Sequence, residues 1–211
     1  MIKLFIDSIG KAFEVENGIY QIIIKDPVIY RKIALDIDSE IILSVDDKTF
    51  ELMKESIIIY DPINIDINDT KIIKSLYKLI EKRLHESFNK ELFRLEEILF
   101  NLSEELVLSS NFEIDYDPQI DISKLLSSLG IKYKISSDYY TNLLQYLKIN
   151  IELFSKKLFI IFGLSSLLNS KEMEMLNYEL ILLNASVVSI SYSSISNEKI
   201  ELILDEDWCI L

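Results

Sequence analysis

From Ile63 to Asp117 the chain runs without a single glycine or proline. The two residues that most oppose helix interiors are therefore missing from a quarter of the protein. Lys71, Lys74, Lys78 and Lys82 recur there at three- and four-residue spacing and share one helix face. Ile73, Leu76, Ile80 and Leu84 take the opposite face. The pattern predicts helix from Asp69 or Thr70, either of which can cap, to about Leu108. One helix of ~40 residues would be ~60 Å long. That is too long for the interior of a compact domain of this size, so the stretch is expected to project as an arm or to break near Asn89.

The flanks read differently. Ile19 to Ile24 is a continuous apolar run after Asn17-Gly18, a hairpin-type turn signal. Asp26-Pro27 looks like a cap and first turn for a helix through about Leu35. Glu40 to Val45 and Ser56 to Tyr60 are β-branched runs that predict buried strands. Beyond the long stretch, Asp117-Pro118 is expected to open a shorter helix, with Ile122, Leu125, Leu126 and Leu129 inward and Gly130 just past its end. Ile131 to Ile135 alternates like an extended link, and Asp138 to about Phe154 is helical again. Lys156 to Phe162 and Val187 to Tyr192 read as strands around a helix opened by the capping-box pair Asn169 and Glu172. Leu202 to Leu204 and Trp208 to Leu211 are the last apolar segments. The fold class is α/β. The expected division is a sheet-based head from residues 1–65 and 155–211, with 66–154 inserted as a helical domain.

The formal charge of −13 matters because an acidic body does not bind nucleic acid by bulk attraction. Any such contact has to use a local basic surface, and the lysine face is the obvious one, with Lys132 and Lys134 as a second pair on alternate positions. Lysine needs only a point charge to hold a phosphate, so no base-reading side chain is required. The bland reading is a solvated helix face. Cys209 is the one cysteine and His85 the one histidine, which excludes an internal disulfide and a Cys/His zinc site by count. Residues 1–7 lack a signal-peptide pattern, and no apolar run approaches the ~20 residues of a membrane span, so a soluble cytoplasmic protein is expected. None of the four glycines sits in a phosphate-cradling loop, and Gly163-Leu-Ser-Ser166 has no lysine at the required distance.

Glu113, Asp115 and Asp117 fall on alternate positions, so in extended chain they point the same way. Oxygen-only donors of this kind suit calcium or magnesium. The segment lacks the glycine and terminal glutamate of an EF-hand loop, and a solvated acidic turn is the competing reading.

Four segments together resemble the DNA-end-binding protein of type II-A CRISPR adaptation modules, the "Csn-two" family. They are Ser87-Phe88-Asn89, Glu113-Ile-Asp115-Tyr-Asp117, Ser128-Leu129-Gly130-Ile131-Lys132, and Lys156-Lys157-Leu158-Phe159-Ile160 with Leu204-Asp205-Glu206-Asp207-Trp208. The resemblance implies a head related to P-loop ATPases but without Walker motifs, and an α-helical leg. It implies a ring of four subunits around a double-stranded DNA end, calcium held by acids of the helical part, and no catalysis. The implied role is spacer acquisition beside the integrase and effector nuclease of the same module. By position Glu113, Asp115 and Asp117 become calcium-ligand candidates and Asp138 a further one, while Asn142 stands where the family has an acid. The assignment of Lys71, Lys74, Lys78 and Lys82 to the ring lining rests on helical geometry alone. Two other classes remain open: a metal-dependent nuclease using Glu113, Asp115 and Asp117, and a protein scaffold with no DNA contact.

Overall fold

The computed structural model describes residues 2–45, 48–117, 119–192 and 200–204, with backbone alone at 200–202. The expected segment Trp208 to Leu211, with Cys209, lies outside the described residues. Two compact units are present, Met1–Ile67 with Ile135–Leu211, and Asn68–Lys134.

The first unit opens with β1 (Ile2–Ile6) and β2 (Lys11–Val15), paired antiparallel. The chain then enters β3 (Gly18–Ile24), which belongs to a different sheet. Asn17-Gly18 is thus a crossing between sheets and not a hairpin turn. Gly18 is needed there for another reason. Its φ is +124°, and an added Cβ would stand 2.5 Å from Asn177 Oδ1, the atom that accepts the Ile19 N–H at 2.8 Å. Gly18→Ala is therefore expected to lower stability by more than the ~1 kcal/mol that the same change gains at a compatible site, read by urea unfolding.

Next come α1 (Pro27–Leu35), α2 (Ile37–Glu40), β4 (Ile41–Val45), β5 (Lys48–Phe50), α3 (Leu52–Glu55) and β6 (Ser56–Ile59). The Asp26 carboxylate caps α1 by accepting the Val28 and Ile29 N–H groups, with Pro27 in its first turn. β4 joins β1 and β5 in a four-stranded antiparallel sheet of order β2-β1-β4-β5.

The second unit holds α4 (Thr70–Ser87), α5 (Asn89–Ser109) and α6 (Ile122–Ser128). The long apolar period is broken at Phe88 (φ −129°, ψ 27°), so two helices replace one rod. Tyr77, Leu92, Ile122 and Leu126 form the buried core, with Ile73, Leu76, Ile80 and Leu84 packed against it. Asp121, not Asp117, caps α6, through the Lys124 N–H at 2.9 Å. Leu129, expected inside, is 65% exposed because the helix has already ended.

The first unit resumes with α7 (Tyr139–Phe154), β7 (Leu158–Phe162), α8 (Ser170–Leu182), β8 (Ser186–Ser191) and β9 (Ile200–Leu204). Five parallel strands run in the order β6-β7-β8-β3-β9, so the two ends of the chain do meet in one sheet. Alternation sorts the strand residues into two cores. Leu158, Ile160, Phe162, Val188 and Ile190 pack with α1 and the antiparallel sheet, while Phe159, Ile161 and Val187 pack with α7 and α8. Leu143 and Leu147 of α7 are fully buried in that second core. Residues 135–154 thus belong to the sheet unit, and the inserted unit ends at Lys134, twenty residues before the boundary the helical period suggested. The periodic pattern is the same for a helix that covers a sheet and one that packs on other helices, which is why it misplaced the boundary.

Candidate functional site

The carboxyl ends of a parallel sheet are the usual ligand edge of an α/β unit. Here β3 passes to α1 through Lys25-Asp26 alone. The first N–H groups of α1, where a phosphate would sit, are taken by the Asp26 carboxylate at 2.7 and 3.0 Å. This strand-to-helix connection is therefore self-capped and carries no cradle of glycine N–H groups.

Another polar cluster ties the same unit together. Glu40 is buried at the end of α2 and accepts hydrogen bonds from the Ser8 N–H (3.1 Å), the Ser8 hydroxyl and Lys32 Nζ (2.6 Å). Burial pushes the Glu40 pKa up, but these donors together outweigh it and hold the carboxyl below its ordinary value. A group with a lowered folded pKa adds stability that is present above the unfolded value of about 4.5 and is lost as pH falls through the folded one. Lys32→Met leaves burial to act with less opposition. The variant is expected to be less stable at pH 7, with the gap to the parent narrowing as pH falls through the carboxylate range. Urea unfolding at pH 7 and pH 4 checks this, and a gap constant across pH contradicts it.

In the second unit, Asp69 caps α4 through the Lys71 and Ile72 N–H groups at 2.7 and 3.0 Å. The cap fixes the start of the helix, and Tyr77 fixes its rotation by turning into the core. Lys71, Lys74, Lys78 and Lys82 are then all exposed on the face away from that core. Lys82 pairs with Glu86 at 3.7 Å, a solvated pair of little energetic weight. α4 carries five Lys and Arg against two Glu, so it is locally cationic in an acidic protein.

Lys132 and Lys134 reach the same helix by a route that periodicity could not reveal. Asn68 donates through Nδ2 to the Tyr133 carbonyl (3.1 Å) and accepts the Tyr133 N–H on Oδ1 (2.8 Å). The Tyr77 hydroxyl donates to the Ile131 carbonyl at 3.0 Å. These three bonds hold the extended 131–134 segment along the first turns of α4. Lys132 and Lys134, either side of half-buried Tyr133, are exposed. Asn68→Ala removes two of the three bonds. A loss of about 1–3 kcal/mol is expected, measured by urea unfolding.

The acidic candidates are distributed otherwise. Glu113, Asp115 and Asp117 lie exposed in irregular chain after α5. Asp115 accepts the Tyr116 N–H at 2.9 Å and Asp117 the Gln119 N–H at 3.0 Å, so each is engaged by nearby backbone. Among the described residues no three Asp, Glu, His or Cys side chains gather as an ion site. The donor chemistry suits a hard cation, but the described residues of one chain do not assemble the ligands. Asp138, in the other unit, caps α7 by accepting the Thr141 N–H (2.8 Å) and hydroxyl (2.5 Å), and the hydroxyl first, then the N–H, holds its pKa down. Asn142 binds the Ser136 backbone on both sides, at 2.8 Å each, so its carbonyl is already used. His85 lies exposed in the last turn of α4.

These features define a mixed α/β protein whose inserted helical unit presents a cationic helix face. Residues 35–208 match the family model described as CRISPR-associated protein (Cas_Csn2), and the chain belongs to that family, the type II-A group with a role in CRISPR adaptation. A comparison with curated proteins finds no match. None of the described helices is long and apolar enough to cross a membrane.

Proposed function

We propose that this protein binds the ends of double-stranded DNA without regard to sequence and without catalysis, as a ring-shaped homotetramer serving spacer acquisition. The observation that carries the reading is the exposed row Lys71, Lys74, Lys78 and Lys82 on a chain of the Cas_Csn2 family whose net charge is −13. Positive charge survives on one face while the rest of the surface repels polyanions, so a duplex is drawn to that face and away from others. Lys132 and Lys134, tied to the same helix, extend the cationic surface. Several copies placing such faces around one duplex sum modest phosphate contacts into useful affinity. Contacts of this kind position a duplex and read no bases.

The sheet unit takes the part of a head that descends from the P-loop ATPase pattern without its nucleotide site, in keeping with the self-capped start of α1. The helical unit takes the part of a leg. Calcium is assigned to Glu113, Asp115 and Asp117, with Asp138 as the further candidate. The proposed partners are the integrase and effector nuclease of the same module.

Threading is tested by comparing a linear duplex with a relaxed, covalently closed circle of the same sequence. The linear form is expected to bind and the circle to bind far more weakly; equal affinity contradicts threading. Calcium is tested by titration against the variant with Glu113→Gln, Asp115→Asn and Asp117→Asn. The parent is expected to bind the ion and the variant to lose it. Incubation of labelled duplex with magnesium or manganese is expected to leave it whole, and clean cleavage abolished in that variant would favour the nuclease instead.

A further inference from the structure

The cationic row of α4 does not stop at Lys82. At about 100° per residue, Lys71, Lys74, Lys78 and Lys82 spread over an arc of about 80° around the helix. His85 falls inside that arc, between Lys74 and Lys78 in angle, and three residues beyond Lys82 along the axis. It is exposed, as the four lysines are. With it the row runs about 21 Å, at ~1.5 Å per residue. Phe88 then breaks the helix, so His85 is the last basic residue of α4.

The charges around it pull both ways. Along α4, Lys82 stands three residues before it and opposes a second positive charge, while Glu81, four residues before it, favours one. Glu86 is the next residue and is paired with Lys82 at 3.7 Å. The last turn of a helix also favours a cation. α5 and α6 pack against α4 through Leu92, Ile122 and Leu126, which meet Tyr77 on the side away from the lysines. The charges beside those contacts are Glu91 and Arg94 of α5 and Asp121 and Lys124 of α6, the last two paired at 3.4 Å. Lys132 and Lys134 run along the other end of α4.

An imidazole is the side chain that ordinarily changes charge between about pH 5 and 8, and His85 is the only one in the chain. A phosphate laid on this face adds negative charge beside it and stabilises the imidazolium. Binding then takes up a proton, and by linkage a complex that takes up a proton tightens as pH falls.

We propose that His85 is a fifth phosphate contact of the α4 face, made only by the protonated imidazole, so that the grip on a duplex tightens from about pH 8 to about pH 6. The proposal rests on the DNA-end reading. It adds a dependence on pH that the lysines, charged throughout this range, do not supply.

The test is filter binding of the full chain to a linear duplex at about pH 6 and pH 8 over a salt series, with the parent, His85→Asn and His85→Lys. The parent is expected to bind more tightly at the lower pH, by about eightfold at ~0.1 M salt for each phosphate an imidazolium neutralises, with a salt slope steeper by about 0.9 for each. His85→Asn is expected to lose both differences. His85→Lys is expected to bind at the higher pH as the parent does at the lower. Both variants should melt with the parent, because the side chain is exposed. Other groups also titrate near this range, so the loss in His85→Asn is the decisive reading. A parent indifferent to pH, an asparagine variant that keeps the full rise, or a lysine variant no tighter than the parent at the higher pH overturns the proposal and leaves the DNA-end reading standing. No binding by the parent at either pH, even at low salt, overturns that reading and this proposal with it.

Discussion

Reversing Lys71, Lys74, Lys78 and Lys82 together to glutamate is expected to abolish binding of a linear duplex at moderate salt while leaving the melting temperature near the parent's. All four side chains are exposed and point away from the Tyr77–Ile122 core, so the fold does not depend on them. Each phosphate a lysine neutralises adds about 0.9 to the slope of log affinity against log salt, so a protein making about six to ten such contacts loses roughly 10³–10⁵ in affinity between about 50 and 200 mM salt. In the proposed ring of four copies the fourfold variant would remove such contacts from every copy at once. Single Lys→Ala changes are expected to reduce the slope in small steps without altering sequence preference, because none of them reads a base. Filter binding across a salt series supplies the measurement. Retention of affinity within tenfold by the fourfold variant moves the interface off α4 and favours the scaffold reading.

Phe159→Ala is expected to cost about 3–5 kcal/mol, by the usual range for a buried aromatic removed from a core. Phe159 is wholly buried on β7, packed in the core that α7 and α8 cover. Its neighbours Leu147, Leu164 and Leu176 are themselves fully buried and are held by helices, so the void closes poorly. Against a typical total of about 5–15 kcal/mol, the variant approaches the edge of folding. Urea unfolding followed by far-UV circular dichroism measures it. A loss under about 1 kcal/mol would place Phe159 in a loosely packed site, contrary to the core described here.

Phe159 also shows what sequence can and cannot convey. Lys156 to Ile160 carries part of the family resemblance, and in the structure its apolar residues divide between the two faces of the central sheet. The strand itself was legible because five apolar residues in a row end on a glycine. The same reasoning found α1 and α8 with their caps at Asp26 and Asn169, because capping is a local event of three or four residues, and it found α7 without its cap. Of the antiparallel sheet only β4 was legible, as the run Glu40 to Val45. β1 and β2 are joined by a one-turn 3-10 helix ending at Gly10, with no hairpin dipeptide between them, and β5 is only three residues long. Asn17-Gly18 carries the hairpin signature yet links two sheets, since glycine was required there by the closeness of Asn177 and not by a tight turn.

The candidate surface was half legible. Spacing alone put four lysines on one face of α4, and the core residues opposite them confirm that rotation. That Lys132 and Lys134 run beside α4 depends on Asn68 meeting Tyr133, sixty-five positions away, and no local pattern encodes such a pair. The acidic triplet taught the converse. Alternate positions align carboxylates only in regular extended chain, and residues 113–117 form no strand.

The most direct measurement is the mass of the protein in solution, by light scattering, with and without calcium and with and without a linear duplex of defined length. Four copies on one duplex are the predicted result. A single copy under every condition, with no complex even at low salt, contradicts the account.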